Sequence, residues 1–295
     1  MEMKSTLVKG YHENAQLRKS FIDLSKETFG LDFEDLYQNG YWKDNYIPYS
    51  IQCDGEIAAN VSVNPMEFIY DGKKINVIQL GTVMTKEIYR NRGLSRRLME
   101  EIQKDYADVD GAFLFGNDSV LEFYPKFGFE KSEEFQYFKD LKTLTDGISQ
   151  KQTAILVPMK EKKDWEKLEA AIKESCCSGR LGMYRNVGLI MFYITKFMQE
   201  CVYRIEDLDV WVIAEPEDDT LFIHEVIGSE EVDLEKVIAS FGKTYKRVSM
   251  GFVPENTDGW QIAERKEEDC TLFVKGEVFE DFAQKKVMFP TLAHA

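Results

Sequence analysis

Two arginines, a glycine and a serine stand at a spacing that suits the binding of phosphate groups. They lie in the segment Arg90–Ser95, which joins an apolar stretch to a helical pattern. Successive backbone N–H groups at such a turn converge, and the positive end of the helix dipole lies at the same place. Gly93 has no Cβ, so the backbone can approach an oxyanion closely, and Arg90 and Arg92 add charge-assisted donors. The turn therefore predicts a pyrophosphate site.

The elements on both sides of this turn are well marked. Before it, the stretch 75–82 is largely apolar on both faces, which is typical of a central strand. After it, an apolar residue recurs at every fourth position, at Leu94, Leu98, Ile102 and Tyr106. This spacing predicts a helix with one apolar face. A strand and a helix would thus hold the turn between them.

A second segment carries side chains that could do chemistry. Gly111–Gly116 is a short apolar run with strand character, and Asn117 follows it at the predicted start of a helix. The aromatic stretch Tyr124–Phe129 comes next. A Tyr hydroxyl can donate a proton to a leaving group. The alternative interpretation of Tyr124 is a core residue packed between neighbouring Phe side chains.

The order of these motifs resembles that of one known family. Residues 75–130 contain a strand, Arg-x-x-Gly-x-Ser, a helix, a second strand, Asn and then Tyr-Pro-Lys-Phe-Gly-Phe. This order is similar to that of the GCN5-related N-acetyltransferases (GNAT), which transfer an acyl group from acyl-CoA to an amine. Ser95 occupies a position where that family has Gly or Ala, and Glu87 stands where Pro is frequent. The resemblance implies acetyl-CoA as the co-substrate.

The resemblance also implies roles for individual residues. The strand before the turn would pair with the pantetheine arm and offer an N–H group to the oxyanion, at Val83, Met84 and Thr85. The turn would hold the pyrophosphate through Arg90, Asn91, Arg92, Gly93, Leu94, Ser95 and Arg96. Asn117 matches a residue that contacts pantetheine. Tyr124 matches the residue that protonates the departing thiolate.

Acyl transfer to an amine also needs a group that removes a proton. A free alkylamine has a pKa of about 10.4, and it attacks a thioester only in its neutral form. Histone-modifying relatives carry a Glu base at the position that Gln79 occupies here, and Gln cannot act as a base. We predict Glu67, on the preceding strand, as the base; a carboxylate acting through water or one from the second half of the chain are alternatives. Some tandem relatives use their chain terminus, so the carboxylate of Ala295 is a further candidate.

Length and element order indicate two domains. A chain of 295 residues exceeds the usual size of one domain. We predict a mixed α/β (α+β) fold, with an acetyl-CoA-binding catalytic GNAT domain over residues 1–145 and a polar, turn-rich boundary at 143–152. The resemblance to tandem members favours a second, degenerate GNAT-like domain over residues 153–295, with an acceptor-site or structural role. Within it, Arg185–Gly188 imitates the turn Arg90–Arg96, which we call the phosphate turn, but no small residue follows, and we interpret it as a coincidence.

Local patterns predict the individual elements. Helices are expected at Asn14–Phe29, Asp32–Asn39, from Leu94, from Ser119, at Asp164–Cys176 and at Asp233–Phe241. Strands of the first domain are expected at Tyr49–Cys53, Glu56–Tyr70, Lys73–Thr85, Gly111–Gly116 and Glu134–Leu141. Strand candidates of the second domain are Val187–Met198, Val210–Ala214, Thr220–Ile227, Arg247–Val253, Thr271–Val274 and Lys286–Phe289.

Charge and composition argue against several classes of protein. The net charge of −15 disfavours nucleic acid as a partner, because phosphate contacts need a basic face. Residues 205–235 hold twelve Asp or Glu and no Lys or Arg. They form either an ordinary solubilising surface or a funnel for cationic amines. The longest apolar run, Val187–Ile194, is too short to span a bilayer, and residues 1–10 lack a signal region, so we predict a cytoplasmic protein without a membrane partner.

The five cysteines and three histidines are scattered, so we predict neither a disulfide framework nor a metal site. The predicted function is an N-acetyltransferase that moves the acetyl group of acetyl-CoA to the primary amine of a small cationic molecule, by direct attack in a ternary complex. A non-catalytic acyl-CoA sensor and a transferase acting on a protein or peptide amine are the alternatives. The oligomeric state stays open, with a homodimer as one option.

Overall fold

The computed structural model describes residues 5–141, 153–242 and 245–294. The predicted boundary at 143–152 lies outside these ranges. The helices within them are α1 (Ala15–Phe29), α2 (Glu34–Gln38), α3 (Leu94–Asp105), α4 (Lys162–Glu174), α5 (Val187–Lys196) and α6 (Leu234–Ser240). The strands are β1 (Ser5–Lys9), β2 (Ile47–Cys53), β3 (Glu56–Tyr70), β4 (Lys73–Thr85), β5 (Gly111–Gly116), β6 (Glu130–Lys131), β7 (Glu134–Asp140), β8 (Ile155–Leu156), β9 (Leu181–Met183), β10 (Val202–Ile205), β11 (Val210–Glu217), β12 (Thr220–Ile227), β13 (Arg247–Met250), β14 (Gln261–Arg265) and β15 (Thr271–Lys275).

The strands form two sheets in a mixed α/β fold. The first has the order β1-β2-β3-β4-β5-β15-β6, with β9 pairing to β3, and the second has the order β14-β7-β13-β12-β11-β10-β8. Each sheet contains one parallel pair, β4 with β5 and β12 with β13. A helix connects the two strands of each pair, α3 in the first sheet and α6 in the second, as parallel pairing requires.

Each sheet takes one strand from the other half of the chain. β7 pairs with β13 and β14 of the second sheet. Conversely, β15 lies between β5 and β6 of the first sheet. The prediction that Glu134–Leu141 belongs to the first sheet is therefore wrong, because local alternation predicts a strand but not its partner. The division into residues 1–145 and 153–295 stays a prediction, and the sheets cross it.

Helices cover both faces of the first sheet. α1 begins after Asn14, whose side chain accepts from two backbone N–H groups of the first turn, and it ends at Gly30 with a φ of 70°. It packs in one core with Val77 of β4, whereas α3 packs in the other core with Ile78. Because neighbouring residues of a strand point to opposite faces, β4 is buried on both sides.

The core under α1 continues into the second sheet. The ring of Phe113, on β5, stacks on that of Phe289 with 3.8 Å between the centroids. Buried residues of the second sheet, Val212 and Ile213 among them, belong to this same core. The two sheets are therefore joined by continuous apolar packing.

Three predicted elements differ from the observed ones. Val187–Met198 is expected as a strand but forms α5, because a helix that is apolar on nearly every side has no helical periodicity to distinguish it. In place of a helix from Ser119 there are two short 3₁₀ turns, Asp118–Val120 and Tyr124–Phe127. Lys286–Phe289 forms no strand. No helix in the described ranges has both the length and the apolar character needed to cross a membrane.

Candidate active site

The two parallel strands of the first sheet separate at one end. β4 and β5 pair from Val77 opposite Gly111 to Leu80 opposite Leu114, and no further. Beyond that point β5 continues along β15 while β4 continues along β3. In the part of the chain that is described, no strand pairs with this side of Gly81–Thr85. Backbone groups of these residues can therefore pair with a ligand.

β4 also carries a bulge at this opening. The register of pairing shifts between Asn60 and Ser62 of β3. Two residues of β4, Thr82 and Val83, lie opposite one residue of β3 there. Thr82 has a φ of 43°, which is a rare conformation for a β-branched residue. A bulge increases the local twist and bends the strand, which here helps to separate β4 from β5.

A buried network of polar side chains supports the bulge. Asn60 is fully buried and donates from Nδ2 to the carbonyl oxygen of Thr82 at 3.0 Å and to Ser62 Oγ at 2.9 Å. Its Oδ1 accepts from Ser50 Oγ at 2.7 Å, and Ser50 Oγ lies 2.6 Å from the hydroxyl of Tyr11. Every member has a partner, so the network stabilises a strained backbone that would otherwise relax.

The turn after β4 has the shape of an anion site. Asn91 and Gly93 have positive φ values of 60° and 74°. Gly93 directly precedes α3, and no side chain caps this end of the helix. A Cβ on Gly93 would meet no atom within 4 Å, so the space beside it is open. The first N–H groups of α3 are thus available to an anion.

Basic side chains surround the turn. The first turn of α3 carries Arg96 and no Asp or Glu, although acidic residues are favoured at that position. A bound anion would offset this unfavourable charge. Arg90 Nε donates to the carbonyl oxygen of Thr85 at 3.3 Å, and Ser95 Oγ lies 2.9 Å from Thr85 Oγ1. These two contacts tie the turn to the end of β4.

The opening between the strands and the turn belong to one cavity of about 1000 Å³. All the predicted cofactor residues line it: Val83, Met84, Thr85, Arg90, Asn91, Arg92, Gly93, Leu94, Ser95, Arg96 and Asn117. Tyr124 lines it as well. A group of rings that we call the aromatic wall completes much of the lining, and it consists of Phe33, Tyr41, Tyr46, Phe115, Phe192 and Tyr193. Both halves of the chain therefore contribute to the cavity.

Tyr124 is held firmly at the cavity. Its side chain is 3% exposed and packs against the rings of Phe123 and Phe273. A Cβ on Gly116 would lie 2.8 Å from Tyr124 Cε2, so only glycine leaves room for the ring. Burial raises the pKa of Tyr124 to about 12. The hydroxyl therefore keeps its proton at neutral pH, and no described residue forms a hydrogen bond with it.

The amide of Asn117 is already engaged by the second half of the chain. Asn117 Nδ2 donates to Asp269 Oδ2 at 2.9 Å, and the backbone N–H of Asp118 donates to Oδ1 of the same carboxylate at 2.7 Å. The hydrogen bond from Asn117 lowers the pKa of Asp269. Towards a ligand, Asn117 keeps its Oδ1 as an acceptor and the second N–H of Nδ2 as a donor.

Glu67 does not lie with the other predicted site residues. It is opposite Asn76, towards the other end of β4, and it does not line the cavity. Its exposed carboxylate pairs with Lys74 Nζ at 2.7 Å. The geometry therefore gives no support to Glu67 as the base. Gln79 is buried on β4, and Ala295 lies outside the described residues.

Asn64 and His294 are cavity residues that the sequence analysis did not identify as site residues. Asn64 Nδ2 and His294 Nε2 are buried and have no hydrogen-bond partner among the described residues. Burial lowers the pKa of His294 to about 3, so the imidazole is neutral at pH 7. Its ring stacks on Phe115 at 3.8 Å, and its carbonyl oxygen accepts from the hydroxyl of Tyr193. Unpartnered buried atoms arise from tertiary packing and leave no sequence pattern.

The segment that imitates the phosphate turn has no comparable space. A Cβ on Gly188 would lie 2.0 Å from Asn45 Nδ2, whereas the space beside Gly93 is open. The side chain of Asn186 accepts from the N–H of Leu189 at 3.1 Å and so caps α5. Protein groups thus fill the start of α5. Across the described ranges, no group of three or more His, Cys, Asp or Glu side chains is arranged to hold a metal ion.

A known domain family matches the part of the chain that carries the turn. Residues 14–132 match the family model of the acetyltransferase (GNAT) domain. This part of the chain is therefore a GNAT acetyltransferase domain. Among curated protein sequences, none matches the chain.

Solved structures share the fold over nearly the whole chain. A conserved protein of unknown function from Enterococcus faecalis, a probable N-acyltransferase, is 16% identical with a TM-score of 0.61 over 92% of this chain and 72% of that one. Eis1 from Mycobacterium abscessus is 12% identical with a TM-score of 0.58 over 92% and 72%. A GCN5-related N-acetyltransferase from Kribbella flavida is 14% identical with a TM-score of 0.55 over 92% and 71%. At these identities the likeness concerns the fold, and with the domain match it supports acyl transfer as the general activity.

Proposed function

We propose that the protein transfers the acetyl group of acetyl-CoA to the primary amine of a small molecule that is cationic in water. The amine attacks the thioester directly, with both substrates in the cavity. The observation that carries this proposal is the opening between β4 and β5, which shares one cavity with the turn Arg90–Arg96 and with Tyr124.

The turn after β4 and the end of β4 would bind acetyl-CoA, the acetyl donor. The diphosphate of CoA accepts from the first N–H groups of α3, where the space beside Gly93 is open and no acidic residue is present. Arg90 and Arg92 add charge there. The pantetheine arm then pairs with the backbone of Val83–Thr85, in the way that an added strand pairs with a sheet edge.

The chemical step needs three groups. The amine nitrogen forms a bond to the thioester carbonyl carbon, and a backbone N–H of Val83–Thr85 stabilises the oxyanion. As the carbon–sulfur bond breaks, Tyr124 donates its proton to the thiolate, and the proton that the attacking nitrogen loses returns to Tyr124 through solvent. The aromatic wall lowers the pKa of a bound amine by desolvation and so favours its neutral, attacking form. Holding both substrates together provides part of the acceleration.

The second half of the chain acts as a second GNAT-like unit that shapes the acceptor side. The crossover from β12 through α6 to the parallel strand β13 repeats the arrangement of β4, α3 and β5. α5 supplies Phe192 and Tyr193 to the aromatic wall. The fold similarity of the solved structures over 92% of the chain is consistent with this arrangement.

An acetyl-CoA turnover assay tests the proposal. The purified protein is given acetyl-CoA and a panel of primary amines, and both the released CoA thiol and the mass of the acetylated amine are measured. We expect amine-dependent release with a mass gain of one acetyl group. Thermal stabilisation by acetyl-CoA without turnover of any amine would instead favour a non-catalytic sensor. Turnover with peptide amines alone would favour a protein acceptor.

A further inference from the structure

Part of the cavity lining has no proposed role in binding acetyl-CoA. Aromatic side chains make up much of this part. Within the aromatic wall, Phe33 stacks on Phe192 with 6.0 Å between centroids and an interplanar angle of 7°. Phe33 also stacks on Tyr46 at 5.1 Å. Stacked rings of this kind give the cavity a rigid apolar lining, which favours contact with an apolar or aromatic body.

The tyrosines of the aromatic wall contribute the apolar surface of their rings to the cavity, because protein groups already bind their hydroxyls. Tyr41 donates to Glu169 Oε1 at 2.6 Å, Tyr46 lies 2.6 Å from Thr82 Oγ1, and Tyr193 donates to the carbonyl oxygen of His294. Asn186, which also lines the cavity, uses its side-chain oxygen to cap α5. The polar groups of this region are thus largely satisfied before a ligand arrives.

The charges of the lining are all at the phosphate turn. Among the described residues no Asp, Glu or Lys lines the cavity, and its only charged side chains are those of Arg90, Arg92 and Arg96. The acidic stretch 205–235 contributes no lining residue. An acceptor with several charges would lose hydration there, and the described residues of the lining offer no carboxylate to offset the loss. The lining therefore disfavours polycations.

Exposed apolar side chains lie where the cavity meets solvent. Phe29, Val120 and Phe197 line the cavity and are 42%, 36% and 55% exposed. Large apolar side chains of this kind, grouped at an opening, mark a surface that binds apolar groups. Two buried polar atoms inside, Asn64 Nδ2 and His294 Nε2, have no described partner. A ligand with one polar group on an apolar body would satisfy both features.

From these observations we infer that the acceptor is an arylalkylamine: one primary amine carried by an aromatic body without further charge. This inference rests on the proposed function and names its acceptor class. The aromatic body packs against the aromatic wall. The amine lies near the unpartnered Nε2 of His294, whose neutral imidazole adds no positive charge to oppose the entry of an ammonium group.

Kinetics with matched amines test the acceptor class. The kcat/KM of the wild-type protein is measured for 2-phenylethylamine, putrescine and spermidine at saturating acetyl-CoA. We expect 2-phenylethylamine to exceed both polyamines by about 10–200-fold, the range that small apolar differences give in a pocket. A preference for putrescine or spermidine would overturn the inference and leave the proposed function standing. Absence of turnover with every amine, peptide amines included, would contradict the proposed function and this inference with it.

A pair of charge variants tests the same inference by changing the protein instead of the amine. Phe197→Asp places a carboxylate at the cavity opening, and Ile262→Asp places one on β14, at a residue that is 46% exposed and does not line the cavity. We expect Phe197→Asp to lower kcat/KM for 2-phenylethylamine by about tenfold and to raise it for putrescine. Ile262→Asp should change neither. Equal effects of the two variants would overturn the inference.

Discussion

The side chain of Tyr124 joins a buried ring to a hydroxyl that no described residue binds. We predict that Tyr124→Phe lowers kcat by about 10²–10⁴-fold, the usual contribution of a positioned acid. The KM for acetyl-CoA should change little, because the ring and its packing remain. Steady-state kinetics with both substrates varied checks this. A variant with the wild-type kcat would make Tyr124 a core residue only.

The raised pKa of Tyr124, about 12, predicts a particular pH profile. A tyrosine with an ordinary pKa of about 10 would lose half of its protons at that pH. Here the acid stays protonated, so kcat should not fall between about pH 8 and about pH 10 through loss of this proton. The measurement is kcat across that range at saturating substrates. A descending limb that Tyr124→Phe removes would contradict the prediction.

Single residues show where sequence reasoning succeeds and where it fails. Arg90 and Gly93 stand three positions apart in one motif, and both line the cavity as the motif suggests; their role towards a phosphate stays a prediction. Glu67 is on the expected strand, but the register places it opposite Asn76, away from the opening at Gly81–Thr85. His294 could not be assigned a role, because its unpartnered nitrogen is a product of packing around Phe115 and Tyr193.

At the level of elements, the phosphate turn offers a sharp test with a matched control. Gly93→Val should abolish the thermal stabilisation by acetyl-CoA, because valine is strained at a φ of 74° and its side chain fills the open space. Gly259 has a φ of 73° and equally open surroundings, but it does not line the cavity. Gly259→Val should cost similar stability and keep the ligand effect.

Differential scanning fluorimetry with and without acetyl-CoA measures both glycine variants. The quantity compared is the shift in Tm on adding acetyl-CoA, not the Tm itself. An undiminished shift in Gly93→Val would contradict the assignment of the turn to the diphosphate. Loss of the shift in Gly259→Val would mean that general destabilisation, rather than a blocked site, explains the result.

The bulge of β4 supplies a second test at this scale. Asn60→Leu removes the donor to the carbonyl oxygen of Thr82 and leaves buried polar atoms unpaired, at about 1–3 kcal/mol each. We expect a lower free energy of unfolding and a raised KM for acetyl-CoA. Ser25→Ala is the control, since Ser25 is buried and its hydroxyl has no described partner. Urea unfolding should find Ser25→Ala close to wild type; an equal loss in both variants would contradict the role of the network.

The bounds of elements could be predicted where their pattern was strong. β3 and β4 are alternating or continuously apolar between Asp-Gly turns, and both begin and end where the sequence analysis predicts. α5 could not be predicted, because its residues are apolar nearly throughout and periodicity gives no signal. The bulge at Thr82 could not be predicted either, since it is imposed by the buried network on the neighbouring strands.

For the whole molecule, Glu134 makes stability depend on pH. It begins β7, at the point where the chain passes from one sheet to the other, and it accepts from the N–H of Phe289 at 2.8 Å. Burial raises its pKa from 4.5 to about 7. Between these pH values the folded state holds a proton that the unfolded state has released. The stability that Glu134 contributes is therefore lost as pH rises from 4.5 to about 7, and this contribution does not change further above that range.

Glu134→Gln should remove the part of the pH dependence that Glu134 causes, because Gln keeps the acceptor for Phe289 and does not ionise; the pKa of Glu225, which burial also raises to about 7, is unaffected. We expect the variant to be more stable than wild type by about 1–3 kcal/mol above pH 7, and equal to it below pH 4.5. Its neighbour Glu133 is exposed, so Glu133→Gln is the control and should be about as stable as wild type. Chemical unfolding at three pH values measures both. A larger gain at low pH than at high pH would contradict the prediction.

β7 pairs in the second sheet and β15 in the first, so each sheet needs a strand from the other half of the chain. This arrangement affects how the chain folds during synthesis. β5 is covered on one side by β15, and the hydrogen-bonded residues Asn117 and Asp269 are 152 positions apart. Until β15 (Thr271–Lys275) has emerged from the ribosome, β5 of the first sheet exposes an edge of unpaired backbone N–H and C=O groups. Such edges invite pairing with other chains. The late strand therefore both completes the sheet and ends the period in which a partly translated chain is prone to aggregate.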